Sequence, residues 1–305
     1  MPTKYKVLIT GSSGMLGIDL SRELKKDYDV SGADLIQNNL SAVTAFHKCD
    51  IVDCKSIKAV VAKVMPDIVV HAAAWTDVDG CELDKNKAYK VNSEGTRNIA
   101  MACKDLEAVL FYISTDFIFD GKKSTPYEEG DKPRAISIYG DSKLKGEHYI
   151  SKLLKKYFII RTGWLYGKNG KNFVDTILAK SKKEKMLKVV NDQVGSPTYT
   201  KDLAKAIHVM LDKVLKGPGT TDQGPDIYHV SNSGSVSWYD YAKEILKFAK
   251  SDTKVEPISS AESSRPARRP AMSALDNSKF VKFTGYKMRN WKDALKEYIF
   301  EGKGR

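Results

Sequence analysis

The chain has 305 residues, 42% hydrophobic and 29% charged, which reads as an ordinary globular protein long enough to bury a sizeable core. No apolar run reaches the roughly 18 residues of a membrane span, and Cys49, Cys54, Cys81, Cys103, His47, His71, His148, His208 and His229 are scattered without metal-ligand spacing. The net charge of +12 is spread over lysines along the chain; it points away from a nucleic-acid interface and toward a solvated surface that can steer an anionic ligand.

The N-terminus runs from Lys4 and Lys6 straight into Val7-Leu8-Ile9, too short for a signal-peptide core, so a cytoplasmic protein is expected. That run is a strand. It leads into Gly11-Ser12-Ser13-Gly14-Met15-Leu16-Gly17 and then a helix marked by Leu16, Leu20 and Leu24. Strand, glycine turn and helix in that order let backbone amides approach a phosphate at the helix N-terminus. A second strand ends at Asp34, 20 residues past Gly14. An acid there accepts hydrogen bonds from adenosine ribose hydroxyls and repels a 2′-phosphate, favouring NADH over NADPH. A third short strand is expected at His47–Ile51. There Asp50 either faces an adenine ring or caps a turn.

Helix follows over 54–65. Pro66–Ala74 is a buried strand running into Ala72, Ala73 and Ala74, small residues that leave room for a ligand against the backbone. After a loop and a further helix, Val109–Ile113 is a strand ending in Ser114, Thr115 and Asp116. The alternation predicts an α/β fold, a Rossmann-type doubly wound parallel sheet with ligands at the carboxyl ends of the strands. Tyr157–Arg161 is the next strand. Beyond it the alternation becomes irregular, with helices expected at 172–184, 200–215, 238–250 and 291–299. Val189–Thr198 reads as polar and turn-rich, and Tyr228–Val230 as a strand. A loop is expected around Gly217, Pro218, Gly219, Gly224 and Pro225. Residues 1–167 are expected to be mainly dinucleotide-binding. Residues 168–305 are expected to form mainly a smaller substrate-binding lobe, with some segments returning to the sheet.

Tyr139 and Lys143 are four residues apart, so on a helix they share a face. A free Tyr, with a pKa of about 10, is a poor acid at neutral pH. A nearby ammonium favours the phenolate. Taken alone, the pair also fits a solvated helix face.

Several segments narrow the reading. They are Gly11-Ser-Ser-Gly14-Met-Leu-Gly17, His71-Ala-Ala-Ala-Trp-Thr-Asp77, Ser114-Thr-Asp-Phe-Ile-Phe-Asp-Gly121, Tyr139-Gly-Asp-Ser-Lys143, Arg161-Thr-Gly-Trp-Leu-Tyr166, Asn191-Asp-Gln-Val-Gly-Ser-Pro-Thr198 and Arg269-Pro-Ala-Met-Ser-Ala-Leu-Asp276. With them the chain resembles the extended short-chain dehydrogenase/reductase family and, within it, the dTDP-4-dehydrorhamnose reductases. The resemblance implies a reduced nicotinamide delivering hydride to a sugar C4 ketone. It implies Thr115, Tyr139 and Lys143 as the catalytic set: Tyr139 the proton donor, Lys143 its pKa tuner and ribose anchor, Thr115 a donor to the carbonyl oxygen, with Ser114 the competing hydroxyl. By the same carry-over Gly11, Ser13, Gly14, Met15, Leu16 and Gly17 hold the pyrophosphate, and Asp34 holds the adenosine ribose. Asp50 and Ile51 flank the adenine, and Ala72, Ala73 and Ala74 lie along the dinucleotide. Thr115, Asp116, Trp164, Gln193 and Arg269 hold the sugar nucleotide, although Trp164 also fits a plain core aromatic.

Two departures bear on substrate choice. Met272 stands where the pattern has Asn, and Ala274 where a basic residue is common. Some bacterial members hold magnesium with acidic residues at a dimer interface; Asp19 stands near one such position, but no full metal site can be assembled. A homodimer is therefore an assembly to test, with a nucleotide sugar, and neither nucleic acid nor membrane, as the expected partner. The alternatives are reduction of another nucleotide-linked keto sugar, or a regulatory subunit resembling that of methionine adenosyltransferase. The complete Thr115, Tyr139 and Lys143 set argues for catalysis.

Overall fold

The structure is a computed structural model that describes residues 4–216 and 225–303. Gly217, Pro218, Gly219 and Gly224 of the expected loop lie outside the described residues. Six strands follow in order: β1 Lys6–Thr10, β2 Asp29–Asp34, β3 Ala45–Lys48, β4 Ile68–His71, β5 Val109–Thr115 and β6 Tyr157–Thr162. A seventh, Asp226–His229, joins beside β6. All pair in parallel, and β1 sits between β2 and β4, so the strand order reverses there. This is the doubly wound Rossmann-type sheet expected from the alternation, and the reversal opens the crevice where such sheets bind ligands.

Helices cover both faces: α1 Met15–Leu24, α2 Cys54–Val64, α3 Val78–Leu83, α4 Lys85–Tyr89, α5 Thr96–Leu106 and α6 Ile138–Leu153. They are followed by α7 Phe173–Ser181, α8 Thr200–Lys216, α9 Trp238–Ala249, α10 Ser278–Thr284 and α11 Trp291–Lys303. Period-two alternation decides which face each strand residue serves. Val7 and Ile9 pack with Leu16, Leu20 and Leu24 of α1 and Leu203, Ile207 and Met210 of α8. Leu8 points the other way, onto Ile57, Val61, Ile99 and Cys103. Both faces are covered, so β1 is apolar at consecutive positions. A third apolar cluster joins α7, α9 and α11 around Tyr166, Tyr199 and Tyr241.

Three local features differ from the expectations. The third strand spans Ala45–Lys48, earlier than expected, because Asp50 accepts the Val52 N–H at 2.9 Å and turns the chain. A strand not expected from sequence, Met186–Val190, pairs in parallel with Lys254–Ile258 and runs into the turn-rich stretch at Val189. Its inward Leu187 and Val189 alternate with exposed Met186 and Lys188, too short a pattern to separate from a loop. One turn of π-helix, Lys90–Gly95, joins α4 to α5, a geometry that often accompanies functional sites. Among the described residues, no helix is long and apolar enough to cross a membrane.

Candidate active site

The glycine turn closes at the carboxyl end of β1. Gly11 has φ +75°, and a Cβ there would meet the Ala73 backbone nitrogen at 2.7 Å. The turn thus presses directly on the small-residue run after β4. A Cβ on Gly17 would lie 2.0 Å from the Gly11 carbonyl oxygen, so α1 can enter this closely only with glycine. Gly14, at the N-cap of α1, provides no side-chain cap. The first-turn N–H groups of Met15 and Leu16 are therefore free to meet a phosphate. Asp34 ends β2 beside this turn, where its two carboxylate oxygens accept from the N–H of Ser13 at 2.9 Å and of Leu35 at 2.7 Å. Ser13 in turn accepts the Asn38 N–H through its hydroxyl. Ile51 is buried and fills the space beside Gly95, whose own Cβ would meet it at 2.8 Å. Asp50 is exposed in the turn described above. An uncapped helix start, a turn only glycine can make and an acid at the end of β2 fit a dinucleotide.

β4 ends in a fixed polar pair. His71 lies fully buried, its Nδ1 2.7 Å from Thr10 Oγ1 and its Nε2 3.0 Å from Thr96 Oγ1. Thr96 gives its own hydroxyl proton to the Asn92 carbonyl. It must therefore accept from His71 Nε2–H, which leaves Nδ1 to accept from Thr10. Burial pulls this imidazole down to about 3, with the Lys143 ammonium adding to the effect, so the ring is neutral. Asn92 spans the next gap: its side chain binds both backbone groups of Trp75 and donates to the Ser142 hydroxyl.

α6 starts at Ser137, whose hydroxyl caps Gly140 N–H at 3.2 Å. A Cβ on Gly140 would lie 2.1 Å from the Phe117 carbonyl oxygen, so the helix lies close against the strand-end loop. This brings Tyr139 and Lys143 to the end of β5, next to Thr115. Ser114 and Thr115 point to opposite sides. Ser114 donates to buried Glu147, whereas Thr115 donates to Asp116 Oδ1 at 3.1 Å. Ser114 is thereby committed beneath the helix.

Burial dominates the electrostatics. It raises the Tyr139 phenol above its ordinary value; the Thr115 hydroxyl works against this and the Asp116 carboxylate adds to it. It brings Lys143 down to about 7, with Glu147 opposing. Lys143 Nζ donates to the Ile113 carbonyl at 2.7 Å and lies 4.1 Å from the Tyr112 ring centroid. Burial also pushes the Asp116 carboxyl up to about 7, against hydrogen bonds from Ser273 and Thr115. Asp116 Oδ2 has no hydrogen-bond partner among the described residues.

A cleft of about 1090 Å³ adjoins this centre, lined by Phe117, Phe173, Trp238, Gln193, Arg268 and Arg269 among others. Phe117 meets the Tyr139 ring edge-on, 5.9 Å between centroids. Arg269 Nη2 is 2.8 Å from Asp79, and Gln193 donates to Ser260 at 2.7 Å. Trp164 takes a left-handed φ of 50° and stacks flat on Trp238, 3.3 Å between ring centroids. A Cβ on Gly195 would lie 2.3 Å from its indole. Trp164 is thus sandwiched, and Trp238 is the indole that lines the cleft. Ala274 is buried, so a basic side chain has no room there, and Met272 packs beside Ile118 and Leu275. Asp19 is buried and accepts from Thr200 on α8.

The model of the RmlD substrate binding domain family matches residues 5–303. The chain belongs to this family. It is 40% identical to the spore coat polysaccharide biosynthesis protein SpsK of Bacillus subtilis, over 97% of each chain. It is 35% identical to a dTDP-4-dehydrorhamnose reductase of Aggregatibacter actinomycetemcomitans, over 95% of this chain and 97% of that protein. The dTDP-4-dehydrorhamnose reductase of Bacillus anthracis, solved in complex with NADP, superposes with a TM-score of 0.87 at 38% identity, covering 98% of this chain and all of that one.

Sequence reasoning did not single out His71, Asn92, Glu147 or Trp238, which the structure places around this centre and its cleft. Each acts through a neighbour distant in sequence. The one local signal was Glu147, four residues after Lys143 on the face that carries it.

Proposed function

We propose that the protein reduces the C4 ketone of a dTDP-4-keto-6-deoxy sugar with NADPH or NADH, converting dTDP-4-dehydro-L-rhamnose to dTDP-L-rhamnose. The observation that carries this reading is the meeting of Thr115, Tyr139 and Lys143 at the end of β5, beside a cleft of nucleotide-sugar size. The names of the relatives in Aggregatibacter and Bacillus anthracis support it. Residues 1–167 mainly hold the dinucleotide in this reading, and 168–305 mainly the sugar nucleotide.

A reduced dinucleotide would be held through its pyrophosphate at the glycine turn and would supply the hydride. The chain's own residues manage the charge that results. As negative charge develops on the carbonyl oxygen, Tyr139, kept protonated by its burial, gives it a proton. Thr115 turns its single hydroxyl proton from Asp116 to the same oxygen. Lys143, held under Tyr112 and against the Ile113 carbonyl, anchors the ribose and brings a positive charge to the end of β5. Asp116 and Gln193 orient the sugar, Arg269 meets the diphosphate, and Trp164 backs the Trp238 wall of the cleft. Asp34 favours NADH, through its carboxylate at the end of β2.

The test follows NADPH or NADH absorbance with a dTDP-4-keto-6-deoxy sugar, for wild type and Tyr139→Phe. Turnover in wild type and a loss of about 10²–10⁴-fold in the variant are expected. Inactivity of wild type with both cofactors would sink the assignment, and equal rates would remove Tyr139 as the acid. NADH much poorer than NADPH would overturn the role given to Asp34.

A further inference from the structure

We propose that Glu147 is a positioning residue that holds Lys143 charged and in place against the end of β5; this rests on the role given above to Lys143. Glu147 lies one helical turn beyond Lys143 on the buried face of α6. Its carboxylate is gripped from the sheet. Arg161 of β6 binds it with two donors, Nε at 3.1 Å and Nη2 at 2.7 Å, and Ser114 of β5 gives it a hydroxyl hydrogen bond. The residue before Ser114 is Ile113, whose carbonyl receives Lys143 Nζ, and Tyr112 donates through its hydroxyl to the Lys143 carbonyl. Three successive residues of β5 therefore fix one turn of α6, and Glu147 is the carboxylate of that clamp. A buried ion pair that only joined helix to sheet would do equally well elsewhere along α6. This one is placed where its negative end supports the catalytic cation.

The titratable and charged groups around Lys143 are few. Tyr112 faces it from β5, neutral His71 from β4 and Glu147 from its own helix; Tyr139 stands one turn earlier on α6, with Thr115 and Asp116. Arg161 reaches it only through Glu147. Groups from the other packed helices meet α6 elsewhere: Glu82 of α3 at Ile138, Tyr89 of α4 at Asp141, and Arg97 of α5 at Tyr149. The desolvation that works against the ammonium is opposed by Glu147. Removing that carboxylate lets Lys143 lose its proton at lower pH.

The experiment measures kcat and KM against pH for wild type, Glu147→Gln and Lys143→Met, together with NADPH affinity by fluorescence titration. Activity that needs a charged Lys143 falls as pH rises through its pKa. In Glu147→Gln that alkaline limb moves about one pH unit toward acid, so that above both limbs kcat is about tenfold lower while the curves converge at acidic pH. A uniform loss at every pH is the signature of a structural role only, and it overturns the proposal, as does an unmoved limb. If Glu147→Gln does not fold, Glu147→Gln/Arg161→Gln removes both ends of the pair and is expected to show the same acidward movement; an unmoved limb in it likewise overturns the proposal. Lys143→Met separates the two readings. If it binds NADPH and turns over like wild type, the role of Lys143 itself fails. If it is impaired while the Glu147 variants keep the wild-type limb, only the role of Glu147 fails.

Discussion

Tyr139 and Lys143 are both pushed by burial toward their neutral forms. In the proposed reaction this suits the phenol, because a proton donor must hold its proton until the oxygen needs it. For the ammonium it is a cost that Glu147 and the Ile113 carbonyl offset. The expectation from sequence was that Lys143 would pull the Tyr139 pKa down; in the structure Lys143 points to β5 and the Thr115 hydroxyl acts on the phenol instead. Thr115→Val removes one donor from the developing oxyanion and is expected to lower kcat about 10²–10³-fold with little change in KM, measured by steady-state kinetics. A KM effect with unchanged kcat would place Thr115 in binding only. That Thr115, Tyr139 and Lys143 gather at the end of β5 was legible because they sit in contiguous motifs. The commitment of Ser114 to Glu147 was not, since it depends on which face of β5 meets α6. The sandwiching of Trp164 was equally hidden, because Trp238 and Gly195 are remote in sequence.

Among the elements, the glycine turn and α1 were the most legible, since strand, turn and helix each carry a local signal. Gly17→Ala tests how tightly they are packed. Its Cβ would fall 2.0 Å from the Gly11 carbonyl oxygen, a backbone atom that cannot step aside. Movement of α1 away from the turn is expected to weaken NADPH binding at least tenfold in a fluorescence titration. Binding at wild-type affinity would contradict the role assigned to this turn. Gly195→Ala tests the far wall, where the added Cβ would collide with the Trp164 indole. Its expected signature is a raised KM for the sugar nucleotide with NADPH affinity unchanged. The elements of the C-terminal half were harder to read. Met186–Val190 pairs with Lys254–Ile258 across more than 60 residues, and no local pattern announces a partner at that distance. Tyr228–Val230 looked like a strand, but its extent, Asp226–His229, and its place beside β6 follow only from the assembled sheet.

At the scale of the molecule, two neutral histidines are sealed in the fold. Burial holds His71 and His229 at about 3, far below the unfolded value. Between about pH 6.5 and 3 the unfolded chain binds these protons and the folded chain does not, so stability falls as pH falls through that window. Asp116, raised to about 7, acts in the opposite sense between 3.8 and 7, because there the folded chain holds the proton. His229→Gln isolates one contribution: the urea midpoint is expected to depend less steeply on pH between 6.5 and 4 than in wild type. An unchanged slope would contradict a buried neutral His229. The class of the molecule was legible from βα alternation, whereas the cleft was not, because its walls come from α3, α7, α9 and the 258–269 segment together.

The central claim is hydride delivery from a nicotinamide to the C4 carbon of a nucleotide sugar. Its most direct test incubates the protein with dTDP-4-keto-6-deoxy sugar and NADPH deuterated at nicotinamide C4, in separate reactions for each of the two faces. Mass spectrometry and NMR of the product then locate the label. Deuterium at sugar C4 from one face alone is the predicted result. NADPH left unconsumed, or a product without deuterium at C4 in either reaction, would contradict the account.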